Sequence, residues 1–516
     1  MNILLTAINA KYIHSNLAVY SLRACAGEYR DAVELAEYTI NNQKDYILEE
    51  LYKRKPDVLC FSCYIWNIDY VTDIAREYKK LCPSVSIWVG GPEVSYEVEA
   101  FLRENPYIDG VMIGEGEDTF RELCGYYAHQ KRLIDIAGIA FRKNSTGNST
   151  SVNNIGGNKA GEIVFTSPRP IKNMSEIPFC YDTLDDFSNR IIYYESSRGC
   201  PFSCSYCLSS VDKTLRFRDT RIVKRELKFF IDQKVPQIKF VDRTFNCNHA
   251  HAMELWRFIK ANDNGVTNFH FEISADLLNQ EELELISDMR PGLIQLEIGV
   301  QSTNEVTIKE IHRTMKLERL KEVVRLIQSG NNIHEHLDLI AGLPYEDYDS
   351  FGRSFDEIYE LKPNQLQLGF LKVLKGSYMF EHAAEYGIVY HDRPPYEVMS
   401  TKWLSFDDVI KIKRVEEMLE VYYNSGQFEI TMKLMECIFD SAFEFFQELG
   451  DFYEANGYFG MSHSRIRRCE ILLEFLALYL HGCDSDAMTS VGLSENAGDR
   501  ENTDCDEHAI DRENTD

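Results

Sequence analysis

Residues 198–207 read RGCPFSCSYC, and the three cysteines in this stretch, Cys200, Cys204 and Cys207, decide how the rest of the chain is read. Three thiolates separated by three and then two residues can each hold one iron of a cubane cluster, which leaves the fourth iron without a protein ligand. A structural zinc site takes four ligands and a ferredoxin cluster four cysteines, whereas the triplet supplies three. His249 or His251 could complete a zinc site, but neither sits at finger-like spacing. The run just upstream, 191–195, reads as a buried strand. Further strand patterns follow at 237–242, 268–274, 293–300, 334–341 and 365–373, with helical periodicity between them. Six such units predict a partial (β/α)6 TIM-like barrel over 191–380, whose chemistry lies at the carboxyl ends of its strands. The triplet follows the first of those ends.

Working outward, residues 1–135 alternate strand and helix as a Rossmann-like open sheet. Apolar runs at 2–8, 58–62, 87–89 and 110–113 read as buried parallel strands. Ser62, then Gly90 and Gly91, then Gly114 and Glu115 fall at or after their carboxyl ends, where ligands bind in such sheets. Taken singly, each glycine reads first as a tight strand-to-helix turn, because neither a GxGxxG nor a Walker A pattern is present. Residues 136–190 read as a flexible loop, rich in Asn, Ser, Thr and Gly at 144–160, and an extended linker. Residues 381–480 carry long helical periodicity at 406–423, 428–448 and 464–480 and predict a mainly helical extension. The tail, 481–516, repeats DRENTD at 499–504 and 511–516 and is expected to be acidic and disordered.

Bulk composition narrows the class. A chain of 516 residues with 44% hydrophobic and 12% aromatic side chains has material for several cores. Its formal charge of -27 gives no strong nucleic-acid signal. No apolar stretch approaches the length needed to span a bilayer, and no signal peptide is read at the start, so a reducing cytoplasmic setting is expected.

The CxxxCxxC spacing, with Tyr206 before the third cysteine, resembles the motif of the radical SAM superfamily. LEIGVQS, with Gly299, Gln301 and Ser302, resembles that family's fourth-strand segment beside the nucleoside or methionine part of the cofactor. HLDLIAGLPYE, with Asp338, Gly342, Leu343 and Pro344, resembles its fifth-strand segment beside the adenine. KFVDRTFN, with Asp242, resembles its second-strand segment. The resemblance implies a 4Fe-4S cluster, S-adenosyl-L-methionine as the ligand of the open iron, and release of a 5'-deoxyadenosyl radical. It also implies a low-potential electron donor such as flavodoxin or ferredoxin and a small-molecule substrate. Arg313 is expected either at the methionine carboxylate or in a surface ion pair. Glu272, His334 and His336 are the candidate catalytic side chains. The two histidines share a strand face with Asp338.

VLCFSCYIWN, VGGPEVS and GVMIGEGEDTFREL resemble the segments that line the corrinoid in the cobalamin-binding subgroup of the same superfamily. The DxHxxG motif of many cobalamin proteins is not matched: with His14 on its histidine, Tyr12 replaces Asp and Leu17 replaces Gly. The extension resembles an uncharacterised one that follows the barrel in some of these proteins. With both cofactors, the resemblance implies methyl transfer to an unactivated centre. Radical oxidation, rearrangement or cyclisation is the alternative, and a zinc-stabilised interaction protein is the non-enzymatic one.

Overall fold

The computed structural model describes residues 1–143, 161–187 and 189–487, with 186 and 481–487 given by backbone alone. The loop expected at 144–160 and most of the expected disordered tail lie outside the described residues. A first compact unit comprises Met1–Asp451, and a second begins at Phe452. In the second unit the helix Arg465–Ala487 packs Phe475 on Phe452, ring centroids 5.6 Å apart. That helix runs seven residues beyond 480, where the sequence reading began the tail.

The first unit opens with a seven-stranded sheet: β1 Ile3–Asn9, β2 Val33–Thr39, β3 Val58–Ser62, β4 Ser86–Gly90, β5 Gly110–Met112, β6 Ile139–Lys143 and β7 Glu162–Phe165. Its order is β2-β1-β3-β4-β5-β6-β7. The first five strands run parallel, and β6 and β7 run antiparallel. Every residue of β1 and β3 is buried, because helices cover both faces, and this is why they read as unbroken apolar runs. The chain reverses direction across the sheet between β1 and β3, which opens a crevice at their carboxyl ends. The sequence reading found four of these seven strands. It missed β2 because VELAEYT is a half-exposed edge strand carrying Glu34 and Glu37.

A second sheet holds β8 Ile192–Tyr194 and, past a short antiparallel pair of β9 Ser197–Arg198 with β10 Arg216–Phe217, the strands β11 Gln237–Phe240, β12 Asn268–Ile273, β13 Ile294–Gln301, β14 His334–Ala341 and β15 Gln365–Phe370. All six strands of this sheet are parallel and lie in chain order from β8 to β15, the arrangement of a partial barrel. Along β13, Ile294, Leu296, Ile298 and Val300 are buried under the helices. Gln295, Glu297, Gly299 and Gln301 alternate with them on the inner face.

The extension adds a hairpin, β16 Val389–Tyr390 with β17 Val398–Ser400, to its expected helices. It also covers the outer edge of β15. Asn424 accepts from Leu366 N at 3.0 Å and donates to Leu366 O at 2.8 Å, so one side chain satisfies both backbone groups. Further along, Val373 N donates to Tyr396 O and Val398 N to Leu371 O, each at 2.9 Å. The single helix expected over 428–448 is instead two, Glu429–Ile438 and Ala442–Ala455. Phe439 is extended between them, and Asp356 accepts from Ser441 Oγ and Phe443 N at the new start. Phe428, Phe439, Phe443, Phe445 and Phe446 are all buried, as core residues.

Candidate cofactor site

The cysteine loop leaves β8 through a glycine that nothing else can replace. Gly199 has φ +86°, and a Cβ there would lie 2.6 Å from Thr214 O. Cys200 and Cys204 are buried and Cys207 is partly exposed. Burial raises the Cys200 thiol above its ordinary range, so a thiolate there needs a compensating cation such as iron. The loop is tied to its neighbours through Ser205 N to Ile311 O and Met379 N to Ser205 O, each 2.9 Å.

Arg313 reaches this loop from beyond β13. Its Nη1 lies 3.8 Å from Cys204 Sγ and 3.2 Å from Tyr206 Oη, and its Nη2 donates to Gly299 O. The pairing of β13 with β14 shifts register between Gly299 and Gln301, and Gln301 takes φ +77°. The bulge folds the Gln301 amide back over Gly299, where a Cβ would lie 2.4 Å from Nε2. Three buried side-chain atoms here have no protein partner: Gln301 Oε1, Arg313 Nε and, in the cysteine loop, Ser205 Oγ. An unmet acceptor, and an unmet donor on the arginine that reaches Cys204, fit a ligand that carries both an ammonium and a carboxylate group.

Other expected ligands are occupied by the protein itself. Asp242 is fully buried and accepts from Ser196 N at 2.8 Å and from Ser196 Oγ and Ser197 Oγ at 2.6 Å, bracing the entry to the cysteine loop. Burial raises its carboxyl to about 6 against those bonds. Ser302 Oγ donates to Glu346 at 2.6 Å and is likewise fully buried. Gly342, at φ +87°, packs under Val398, Leu343 is fully buried, and Pro344 O accepts from Thr307 Oγ1. These last three shape the turn after β14. His249 pairs with Glu282 at 2.9 Å and His251 lies 2.9 Å from Ser196 Oγ, so both histidines that a zinc site would need are engaged elsewhere.

The lumen of the barrel is polar. Register sets Glu272, Glu297 and His336 side by side on β12, β13 and β14, with Asp338 beside Gly299 one step higher. Glu297 takes Lys239 at 2.8 Å and His270 at 2.9 Å; burial would raise its carboxyl, but these two hold it at about 2. Glu272 has no such pair, and burial lifts it to about 7 despite the pull of Arg243. His336 Nε2 is 3.1 Å from Asp338 Oδ1. Burial lowers the imidazole, Asp338 more than offsets this, and the net direction is up. His334 stands apart: it is exposed at the amino end of β14, away from the strand ends that carry the cysteines.

In the first sheet, Ser62 accepts from Asn16 Nδ2 at 3.3 Å at the crevice between β1 and β3. Gly91 has φ +120°, and a Cβ would lie 2.4 Å from Cys63 O, so the backbone of 90–91 closes directly on the end of β3. Nothing lies within 4 Å of the Cβ position of Gly114, which faces open space at φ +75°. Glu115 departs from the expectation of a cofactor contact: it pairs with Arg216 at 2.6 Å and Arg198 at 3.5 Å, and accepts from Lys172 N.

Arg198, the residue two before Cys200, was missed by the sequence reading. It gathers Glu117 of the first sheet's last ligand segment and Glu195 of the barrel, the latter at 2.9 Å. Burial raises Glu195 to about 7 against Arg198. His14 Nδ1 lies 2.7 Å from Tyr193 Oη, and burial lowers its pKa. The first sheet's loops therefore meet the barrel at β8 through His14, Glu115 and Glu117. They meet it again beyond β15, where Tyr396 Oη donates to Glu93 and Lys375 lies 3.9 Å from Glu97. Together they bridge the open side of the barrel.

A family model described as the B12 binding domain matches residues 3–124, and one described as the Radical SAM superfamily matches residues 194–358. A third, described as a protein of unknown function (DUF4080), matches residues 384–495. The chain is 27% identical over 361 residues to the cobalamin-dependent radical SAM methyltransferase TokK of Streptomyces tokunonensis, covering 65% of this chain and 49% of TokK. It is 22% identical over 355 residues to an anaerobic magnesium-protoporphyrin IX monomethyl ester cyclase of Rubrivivax gelatinosus, covering 66% of this chain and 60% of that protein. The chain thus spans about half the length of TokK. In fold it is similar to the cobalamin-dependent S-adenosylmethionine radical enzyme OxsB, solved with aqua-cobalamin and S-adenosylmethionine bound, at TM-score 0.63 and 15% identity, covering 92% of this chain and 75% of OxsB. Among the described residues no helix is long and apolar enough to cross a membrane.

Proposed function

Because the chain belongs to the radical SAM superfamily of enzymes, in the subgroup with a B12-binding domain before the barrel, we propose that it is a cobalamin-dependent methyltransferase acting on an unactivated centre of a small molecule. The observation that carries this reading is the meeting of two half-sites. The triplet with Arg313 and Gln301 lies at the carboxyl ends of the barrel strands, and the glycine-bearing loops of the first sheet bridge the barrel's open side. In this subgroup the cluster supplies the electron that splits S-adenosylmethionine, and cobalamin carries the methyl group.

The roles we assign follow from the geometry. Cys200, Cys204 and Cys207 hold three irons, and Arg313 and Gln301 orient the amino-acid end of the ligand on the fourth. Gly299 holds Arg313 through its carbonyl, Gly342 with Leu343 and Pro344 shapes the turn after β14, and Asp242 and Ser302 brace the loops around the ligand. Ser62, Gly90, Gly91 and Gly114 line the corrinoid side. Glu272 and the His336–Asp338 pair hold or accept a proton at the substrate, and His334 has no part in this. In this reading residues 1–135 form the corrinoid domain, 136–190 the linker, 191–380 the catalytic core and 381–480 its extension, in a cytoplasmic enzyme reduced by a flavodoxin or ferredoxin.

The test is purification without air, followed by iron, sulfide and corrinoid analysis of one sample. About four irons, four sulfides and one corrinoid per chain are expected. One tightly held zinc with no cleavage of S-adenosylmethionine would support the interaction protein instead. The similarity to the cyclase keeps a second reaction open. Deuterium transferred from labelled substrate into 5'-deoxyadenosine without a methylated product would favour oxidation or cyclisation.

A further inference from the structure

The extension matches a family with no assigned role, yet its residues 396–398 touch both half-sites at once. Their backbone pairs antiparallel with 371–373, which continues β15, through the Lys372–Glu397 bridge and its flanking hydrogen bonds. Val398 packs its Cγ1 against Gly342 so closely that a Cβ on the glycine would lie 2.6 Å away. Two residues earlier, Tyr396 points to the first sheet and donates its hydroxyl to Glu93, which follows Gly91 by two residues.

Tyr396 adopts φ +55°, a left-handed conformation that a bulky aromatic residue rarely takes. Such a conformation persists only where the surroundings fix it. Here the residue is 5% exposed, Lys375 Nζ stands 5.5 Å from the ring centroid, and the hydroxyl is held by the carboxylate. The same loop of the first sheet is seated at two further points. The Tyr96 ring lies where Gly376 leaves room, a Cβ there falling 2.2 Å from Tyr96 Cδ1, and Glu97 approaches Lys375.

We propose that residues 396–398 are a clasp, in which the Tyr396–Glu93 hydrogen bond fixes the 90–97 loop against the barrel and so positions it for the corrinoid. Tyr396 is a positioning residue here and touches no reacting atom. The inference rests on the cobalamin reading above and adds to it a role for the extension, which a corrinoid domain and a barrel alone would lack.

Hydroxocobalamin is titrated into the full chain, purified without air, and binding is followed by corrinoid absorbance. Tyr396→Phe is expected to weaken binding about tenfold, as loss of a hydrogen bond to a charged group does. Glu93→Leu is expected to do the same, and the double variant to be no weaker than the worse single one, because all three lack the same bond. Iron and sulfide content stay at the parent's level, which separates the effect from general misfolding. Binding by Tyr396→Phe within twofold of the parent, or losses that add in the double variant, would overturn the clasp. A parent that takes up no hydroxocobalamin fails before any substitution and overturns the cobalamin reading, and the clasp's role with it.

Discussion

Replacing Arg198 by Met should destabilise the apo chain by about 3 kcal/mol at pH 8, and much less near pH 5. Arg198 is 17% exposed, and its partners Glu117 and Glu195 are 6% and 21% exposed, so all three charges are largely removed from water. Taking away one partner of a buried pair costs roughly 3–5 kcal/mol, and the residual exposure of Glu195 argues for the lower end. The pH dependence follows from Glu195. Burial has already raised its folded-state pKa from 4.5 to about 7 with the guanidinium in place. Without that cation the folded value rises further. A carboxyl whose folded pKa exceeds its unfolded one binds protons more tightly in the folded state, so stability falls as pH climbs from the unfolded value through the folded one. The assay is denaturant unfolding of protein purified in air, free of the cluster, at pH values from 5 to 8. Adding Glu117→Gln removes one stranded charge and should recover roughly half the loss. A single variant within 1 kcal/mol of the parent at pH 8, or a loss independent of pH, would refute the argument that these carboxylates depend on Arg198.

Cys204→Ser should abolish both retention of about four irons and cleavage of S-adenosylmethionine, read by iron analysis and 5'-deoxyadenosine formation. Gly91→Ala places a Cβ 2.4 Å from Cys63 O at φ +120°, so it should cost about 2 kcal/mol in unfolding free energy, read by denaturant titration, and weaken uptake of hydroxocobalamin. Glu272 carries a folded-state pKa near 7 against 4.5 unfolded, so ionising it costs stability as pH rises across that window. Glu272→Gln should therefore flatten the fall in unfolding free energy between pH 5 and pH 8.

What the sequence makes legible is what lies close along the chain or repeats with a period. The cysteine triplet, the run at 58–62 and the strand at 334–341 are local patterns, and the last two match their strands residue for residue. Edge strand β2 is poorly legible because one side of it faces water and its charges interrupt the apolar run. Side-chain partners are less legible still. Asp242 and Ser302 sit in motif segments, but their oxygens go to Ser196 and Ser197 and to Glu346, more than forty residues distant. Arg198 and Glu117 lie 81 residues apart, and only the docking of one sheet on the other brings them together. Lys239 and Glu297 had a signal that could have found them, since each is a charged residue at an inward position of a predicted strand.

Asn424 and residues 396–398 have a consequence for how this chain divides. A fragment ending at 380, where the proposed catalytic core stops, would keep all six parallel strands but strip the last of its cover. Leu366 N–H and C=O, Leu371 C=O and Val373 N–H would be left reaching outward along one straight margin. Such a margin is a template for another copy of itself, so the fragment should assemble side by side into multimers and precipitate. The smallest piece that remains monomeric must carry the chain through Asn424, so the core boundary read from the sequence and the boundary drawn by hydrogen bonding differ by about forty residues.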